Sequence, residues 1–218
     1  MKRKGARGPL APDVPEVLDG AVPDELDAGE EYENIAAEGA DYADSEARAV
    51  HFRHVRFERV SLARSVLPGV TLMDAALASC DLAGAVWERS SIGRVRSDGC
   101  RWVGAHLDRA AISDLHAVDS SFEMAVFTKG RMEASRFERC VFRGAVFEGM
   151  TLKGLVFRGC DLRNADFRGS TLDSVDLRGC QIGALGVTPD RLRGLILDPS
   201  QAASLVEDWG AKVLGEDD

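Results

Sequence analysis

From Phe52 to Ile182 a large apolar residue falls at every fifth position. That period fits neither a helix at 3.6 nor a flat strand at 2. Of 27 successive registers, 25 are filled in this way, and only Ser97 and Ala117 break the run. Two residues before each comes a second, mostly smaller inward candidate, such as Val55, Ala75, Cys80 or Ala85. A chain so patterned has to coil with two inward side chains in every five residues. Its core is expected to hold Phe122, Phe127, Phe137, Phe142, Phe147, Phe157 and Phe167, with Leu162, Leu172 and Leu177 completing the later registers.

Blocks such as Cys160-Asp161-Leu162-Arg163-Asn164, Ala165-Asp166-Phe167-Arg168-Gly169 and Val175-Asp176-Leu177-Arg178-Gly179 resemble the pentapeptide-repeat family, over about residues 50–184. The resemblance implies an all-β fold: a right-handed quadrilateral parallel β-helix, a β-solenoid with four pentapeptides per coil. Positions twenty apart should then stack. Cys80, Cys100, Cys140, Cys160 and Cys180 fall on one such ladder, with Ser120 on the missing rung. Trp102-Phe122-Phe142 and Phe127-Phe147-Phe167 form two more. Ser97 and Ala117 are neighbouring rungs; Leu115 restores volume beside Ala117, whereas a bulge or local widening is expected at Ser97. Glycine recurs two residues after the central position, as at Gly169 and Gly179, where a corner demands tight dihedrals. Stacked at strand spacing, the expected coils make a rod of roughly 30 Å.

Three segments are expected: an acidic, disordered N-terminal arm (1–46), the solenoid (47–187) and a short C-terminal helical cap (188–218). Residues 1–50 carry 13 acidic and 5 basic side chains, against 16 and 19 in residues 51–187. The acidity therefore sits at the ends, and the repeat body is close to neutral. Few large apolar residues occur in 1–46, which disfavours a packed core there. Thr188-Pro189 and Asp198-Pro199 are helix-start signals. Leu192, Leu195, Ile196, Ala202, Leu205, Val206 and Trp209 would form one apolar face of two short helices that stop at Gly210. The tail resembles the helical segment that caps many such solenoids or joins two subunits. A homodimer through Leu195, Ile196, Leu205, Val206 and Trp209 is the expectation, with Trp209 buried.

No apolar run reaches the ~18 residues of a membrane span. Met1-Lys2-Arg3-Lys4 is followed by a Pro- and Asp-bearing stretch instead of an apolar signal core, so a cytoplasmic protein is expected. The cysteine ladder sets sulfurs in file, unlike the tetrahedron zinc needs, and parallel side-chain vectors disfavour disulfides between rungs. Packing is its expected role. His51, His54, His106 and His116 occupy different faces or registers, and the Asp114/His116 pair has no nucleophile in register. A filled solenoid offers no concave pocket. No enzymatic activity, cofactor or metal is expected.

Function is expected on the outward positions. Val66, Val86, Val126 and Val146 stack into a candidate partner face, interrupted by His106 and ended by Asp166. The basic rungs Arg96-His116-Arg136, Arg143-Arg163 and Arg158-Arg178 are interspersed with carboxylates. The leading expectation is a non-enzymatic interaction scaffold with a protein partner. The resemblance supplies an alternative: some pentapeptide-repeat proteins mimic duplex DNA, bind DNA gyrase or topoisomerase IV, and protect against quinolones or other gyrase inhibitors. A near-neutral body lacks the strongly negative surface such mimicry needs. A third expectation has the acidic arm folding back over the basic rungs. No base-stacking aromatic surface is evident, so direct nucleic-acid binding is not expected.

Overall fold

A computed structural model describes residues 7–214; residues 1–6 and 215–218, the outer ends of the two expected terminal segments, lie outside it. Backbone pairing is parallel and offset by twenty residues on all four sides. One ladder climbs from Glu31 through His51, Thr71, Ser91, Ala111, Arg131 and Thr151 to Thr171. A second runs from Ala36 through Arg56, Ala76, Arg96, His116, Arg136, Val156 and Asp176 to Ile196. Two more run from Asp41 to Gln181 and from Glu46 to Gly186. The product is a four-sided β-solenoid of about eight coils, roughly 38 Å long at strand spacing.

The first coil begins at Glu31, well inside the segment expected to be disordered. The five-residue period continues backwards through Ala47, Tyr42, Ala37 and Tyr32. Tyrosine and alanine carry it there, so a search for large apolar residues passes over it. Tyr42, Ile35 and Ala37 are buried, and Tyr32 stacks on Phe52 with ring centroids 5.6 Å apart. Six of the arm's carboxylates, from Glu31 to Glu46, therefore sit on a rigid coil. Residues 7–30 form no strand or helix, yet they lie against the solenoid. Leu26 is buried, the Gly20 amide donates to the Asn34 carbonyl at 2.9 Å, and Tyr42 Oη donates to the Pro23 carbonyl at 2.8 Å.

Every fifth residue from Asn34 to Ala184 has positive φ, and 20 of these 31 corners are not glycine. Each non-glycine corner costs about 1 kcal/mol of backbone strain. Unbroken ladder bonding on both sides of each corner offsets that cost.

Inside, aromatic rings stack along the axis. Phe122 and Phe142 are 4.7 Å apart at 4°, and Phe147 and Phe167 are 4.6 Å apart at 2°. Across a corner, Phe137 meets Phe142 edge to face at 5.0 Å and 86°. Both are arrangements that ring quadrupoles favour. Ser97 causes no bulge: Leu77, Ser97 and Ala117 pair in unbroken register. Trp102 Nε1 donates to Ser97 Oγ at 3.1 Å, and its indole supplies the missing bulk. Trp87 does the same for Ser65, also at 3.1 Å.

Among its described residues the C-terminal segment contains one α-helix, Pro199–Asp208, in place of two. Before it come a single 3-10 turn, Pro189–Arg191, and a two-residue strand, Leu195–Ile196, that pairs with Val175–Asp176. Leu195 and Ile196 thus extend the ladder by a rung instead of forming a helical face. Gly194 makes this possible: a Cβ there would lie 2.2 Å from the Leu172 carbonyl oxygen. The helix closes the last coil. Gln201, buried, donates to the carbonyls of Leu177 at 2.7 Å and Cys180 at 2.8 Å. Asp198 and Asp208 accept from the Gly179 and Ala184 amides. Leu205 is the buried apolar residue of this helix, and Trp209 is 39% exposed in this single chain.

Candidate interaction surface

The valine ladder occupies one face in continuous register, with Glu46 below Val66, His106 between Val86 and Val126, and Asp166 above Val146. Val66 is exposed, and Val86, Val126 and Val146 are half-buried. Sequence reasoning missed Met124, which is 60% exposed at a neighbouring corner with its side chain lying over Gly144. Its outward register was readable, but methionine at a corner carries no distinctive signal.

The basic rungs are paired. Arg136 and His116 both contact Glu138, at 2.6 and 3.1 Å, and Arg96 holds Asp98 at 2.6 Å. Arg143 and Arg163 share Asp161, at 2.9 and 2.7 Å. Arg158 and Arg178 share Asp176 at 2.5 and 2.8 Å. Burial pulls the Asp176 carboxyl up, but hydrogen bonds from these two guanidinium groups hold it well below the usual carboxylate range. Hydrogen bonds from Arg163, then Arg143, hold Asp161 low as well. What these rungs present outward is a set of ion pairs, in which little positive charge is left for a phosphate backbone.

The five cysteines are free and buried. Cys80, Cys140 and Cys160 each place a single S–H donor between two main-chain carbonyls, two and 23 residues back. Ser120 makes the same pair of bonds, to Val118 and Ser97. A hydrogen bond to the Cys100 sulfur, with burial, pushes the Cys80 thiol up, and its contact with Cys140 pushes Cys160 up to about 12. No cluster that would hold a metal ion occurs among the described residues.

Concavities do exist among the described residues, contrary to the expectation from a filled solenoid. Where the chain leaves the last coil, a cleft of about 1250 Å³ opens between the Asp190–Gly194 loop and the face carrying Arg136, Arg158 and Arg178. The expected cap and dimer residues do not share one surface. Leu195 and Ile196 lie half-buried on the ladder, Leu205 faces the last coil, and Val206 and Trp209 point outward. No helix among the described residues is long and apolar enough to cross a membrane.

A family model described as pentapeptide repeats, in nine copies, matches residues 137–181. Among curated proteins none matches the sequence. Of solved structures, a trypsin-treated form of QnrB1, described as a plasmid-mediated fluoroquinolone resistance protein, is 23% identical, with 88% of this chain and 99% of that one covered and a TM-score of 0.45. HetL from the cyanobacterium Nostoc, a pentapeptide repeat protein involved in heterocyst differentiation regulation, is 16% identical, covering 79% and 89%, with a TM-score of 0.33.

Proposed function

Because the chain is a pentapeptide-repeat protein, we propose that it works as a rigid, non-enzymatic, cytoplasmic scaffold whose flat outer faces dock a protein partner. The observation that carries this reading is the in-register ladder Val66-Val86-His106-Val126-Val146, an apolar strip on a stiff face. Every inward position is filled, so recognition falls to the outer faces. A strip of this kind suits a partner with its own flat apolar surface. The test is a crosslinking pull-down with the wild type and with Val66→Lys and Val126→Lys. A partner held by the wild type and lost from both variants supports the strip; an unchanged set of captured proteins refutes it.

One observation favours a topoisomerase partner as the second reading: the acidic first coil is folded and ladder-paired to the coil above it. Residues 31–50 carry six carboxylates and one arginine on fixed rungs. Ion pairs oppose it, since Glu31, Glu38 and Asp44 face Arg53, Arg59 and Arg64. A gyrase supercoiling assay with a quinolone decides it: protection or inhibition at micromolar protein sustains the reading, and no effect on supercoiling or cleavage ends it. Val206 and Trp209, exposed on the closing helix, are the proposed homodimer contact. Sedimentation of Trp209→Glu should give a monomer where the wild type gives a dimer, and a monomeric wild type would dismiss the contact.

A further inference from the structure

Residues 7–15 lie along one corner of the solenoid, the column formed by His54, Asp74, Arg94 and Asp114. Opposite charge of arm and basic rungs suggests that the arm folds back, yet the polarity of the contact is the reverse. An arginine and two amides of the arm meet carboxylates of the body. Arg7 Nη2 donates to Asp114 at 2.9 Å, and the Leu10 amide donates to the same carboxylate at 2.9 Å. The Asp13 amide donates to Asp74 at 3.0 Å, and His54 Nδ1 donates to the Asp13 carbonyl at 2.6 Å. Both carboxylate side chains are over nine-tenths buried.

The arm's sequence explains this register. Prolines stand at 9, 12 and 15, every third residue, and each of the two bonded amides follows one of them. Pro9, Pro12 and Pro15 are half-buried; of the residues between them, Leu10, Ala11 and Asp13 are exposed and Val14 is half-buried. A polyproline II chain returns to the same face every three residues after a rise of ~9.3 Å. Two rungs of the solenoid span ~9.6 Å. Asp74 and Asp114 are two rungs apart, and the rung between carries Arg94, which binds Asp74 Oδ1 at 2.6 Å. A β-strand would turn residues 10 and 13 to opposite faces, so the alternate-rung carboxylates match a polyproline chain specifically.

We infer that this corner is a binding site for polyproline II segments with proline at every third residue and an arginine on the N-terminal side. The chain's own residues 7–15 fill it in cis, and a partner's proline-rich segment of the same chemistry takes their place. The inference deepens the scaffold reading, on which it rests, by naming one partner class and one corner. It does not involve the valine strip.

The test keeps the full chain. A protease site is inserted between Glu16 and Asp19, the arm is cut after folding, and a fluorescent peptide of residues 7–16 is titrated by anisotropy. Saturable binding is expected, weakened at least tenfold by one alanine inserted after Ala11 of the peptide. A peptide carrying three extra residues, Ala-Pro-Asp, should bind as well as the original through one shifted register. Changes made in the peptide leave the protein fold untouched. Absence of saturable binding, or equal binding when Pro9 and Pro12 of the peptide are glycine, overturns the proposal. Either result leaves the pull-down with valine-strip variants to judge the scaffold by itself.

Discussion

At the scale of single residues, the corners and the cysteine ladder are where local chemistry departs most from ordinary rules. Gly179 sits at a corner with φ +74 and open space where a Cβ would go, so Gly179→Ala tests backbone strain alone. It should cost about 1 kcal/mol, read from thermal unfolding by circular dichroism. Ala134, with φ +47, is the mirror experiment, and Ala134→Gly should gain up to about 1 kcal/mol. No shift in either variant would mean that ladder bonding, not corner strain, sets the local energy. In the cysteine ladder, Ser120 already makes the two carbonyl bonds that Cys140 makes. Cys140→Ser should therefore change stability by less than about 1 kcal/mol. Cys140→Val overfills the same slot and loses the S–H donor shared by the two carbonyls, at a cost of about 1–3 kcal/mol. Equal losses from the two would refute the role assigned to the hydrogen bonds.

Elements show why some of this was legible in the sequence and some was not. The solenoid body was readable because its signal is redundant: the cysteines and phenylalanines repeat one instruction at every rung. The first coil was not, because Tyr32 and Tyr42 are amphipathic and Ala37 is small, although their register is perfect. Trp102 donating to Ser97 was hidden because the two lie on different faces of the coil, and the five-residue pattern treats faces one at a time. The C-terminal tail was half-readable: Asp198-Pro199 starts a helix as expected, with a reciprocal capping box to Gln201. Leu195-Ile196 pairs as a strand because the last coil still offers an unpaired edge. Among the candidate surfaces, the valine ladder could be counted out from its spacing, whereas the arm's corner needed the prolines to be compared with rung spacing. The closing helix gives this scale its prediction. Gln201→Met removes two donors from buried carbonyls while keeping volume, and should destabilise by about 2 kcal/mol. Hydrogen exchange at the Gly179 and Ala184 amides should speed up before the middle coils respond. Uniform acceleration along the rod would show instead that the solenoid opens as a single unit.

For the whole molecule, the two kinds of ladder predict the shape of stability against pH. Outside, hydrogen bonds from Arg94 hold the Asp74 carboxyl low, and Asp161 and Asp176 are held low by their own arginines. A carboxylate with a depressed folded pKa contributes stability above its unfolded value of about 3.9, and loses it as pH falls through the folded value. Inside, hydrogen bonds between neighbouring sulfurs push Cys80, Cys160 and Cys180 up and pull their partners Cys100 and Cys140 down, while burial raises all five. A thiol with a raised folded pKa contributes stability fully below its unfolded value of about 8.5, and loses it as pH climbs through the folded value. Stability should thus be flat between about pH 5 and pH 7, where the lowered Cys100 thiol begins to titrate, with an acid flank set by the surface and an alkaline flank, above the unfolded thiol value, set by the three raised thiols of the core. The two flanks are separable by substitution. Replacing Cys80, Cys160 and Cys180 together by serine, which cannot ionise in this range, should flatten the alkaline flank and leave the acid flank in place. Each thiol removed should take roughly 1.4 kcal/mol per pH unit from the slope above its unfolded pKa. Denaturant midpoints measured from pH 3 to pH 10.5 in both proteins would read this directly. An alkaline flank as steep in the serine variant as in the wild type would move the titrating groups out of the core.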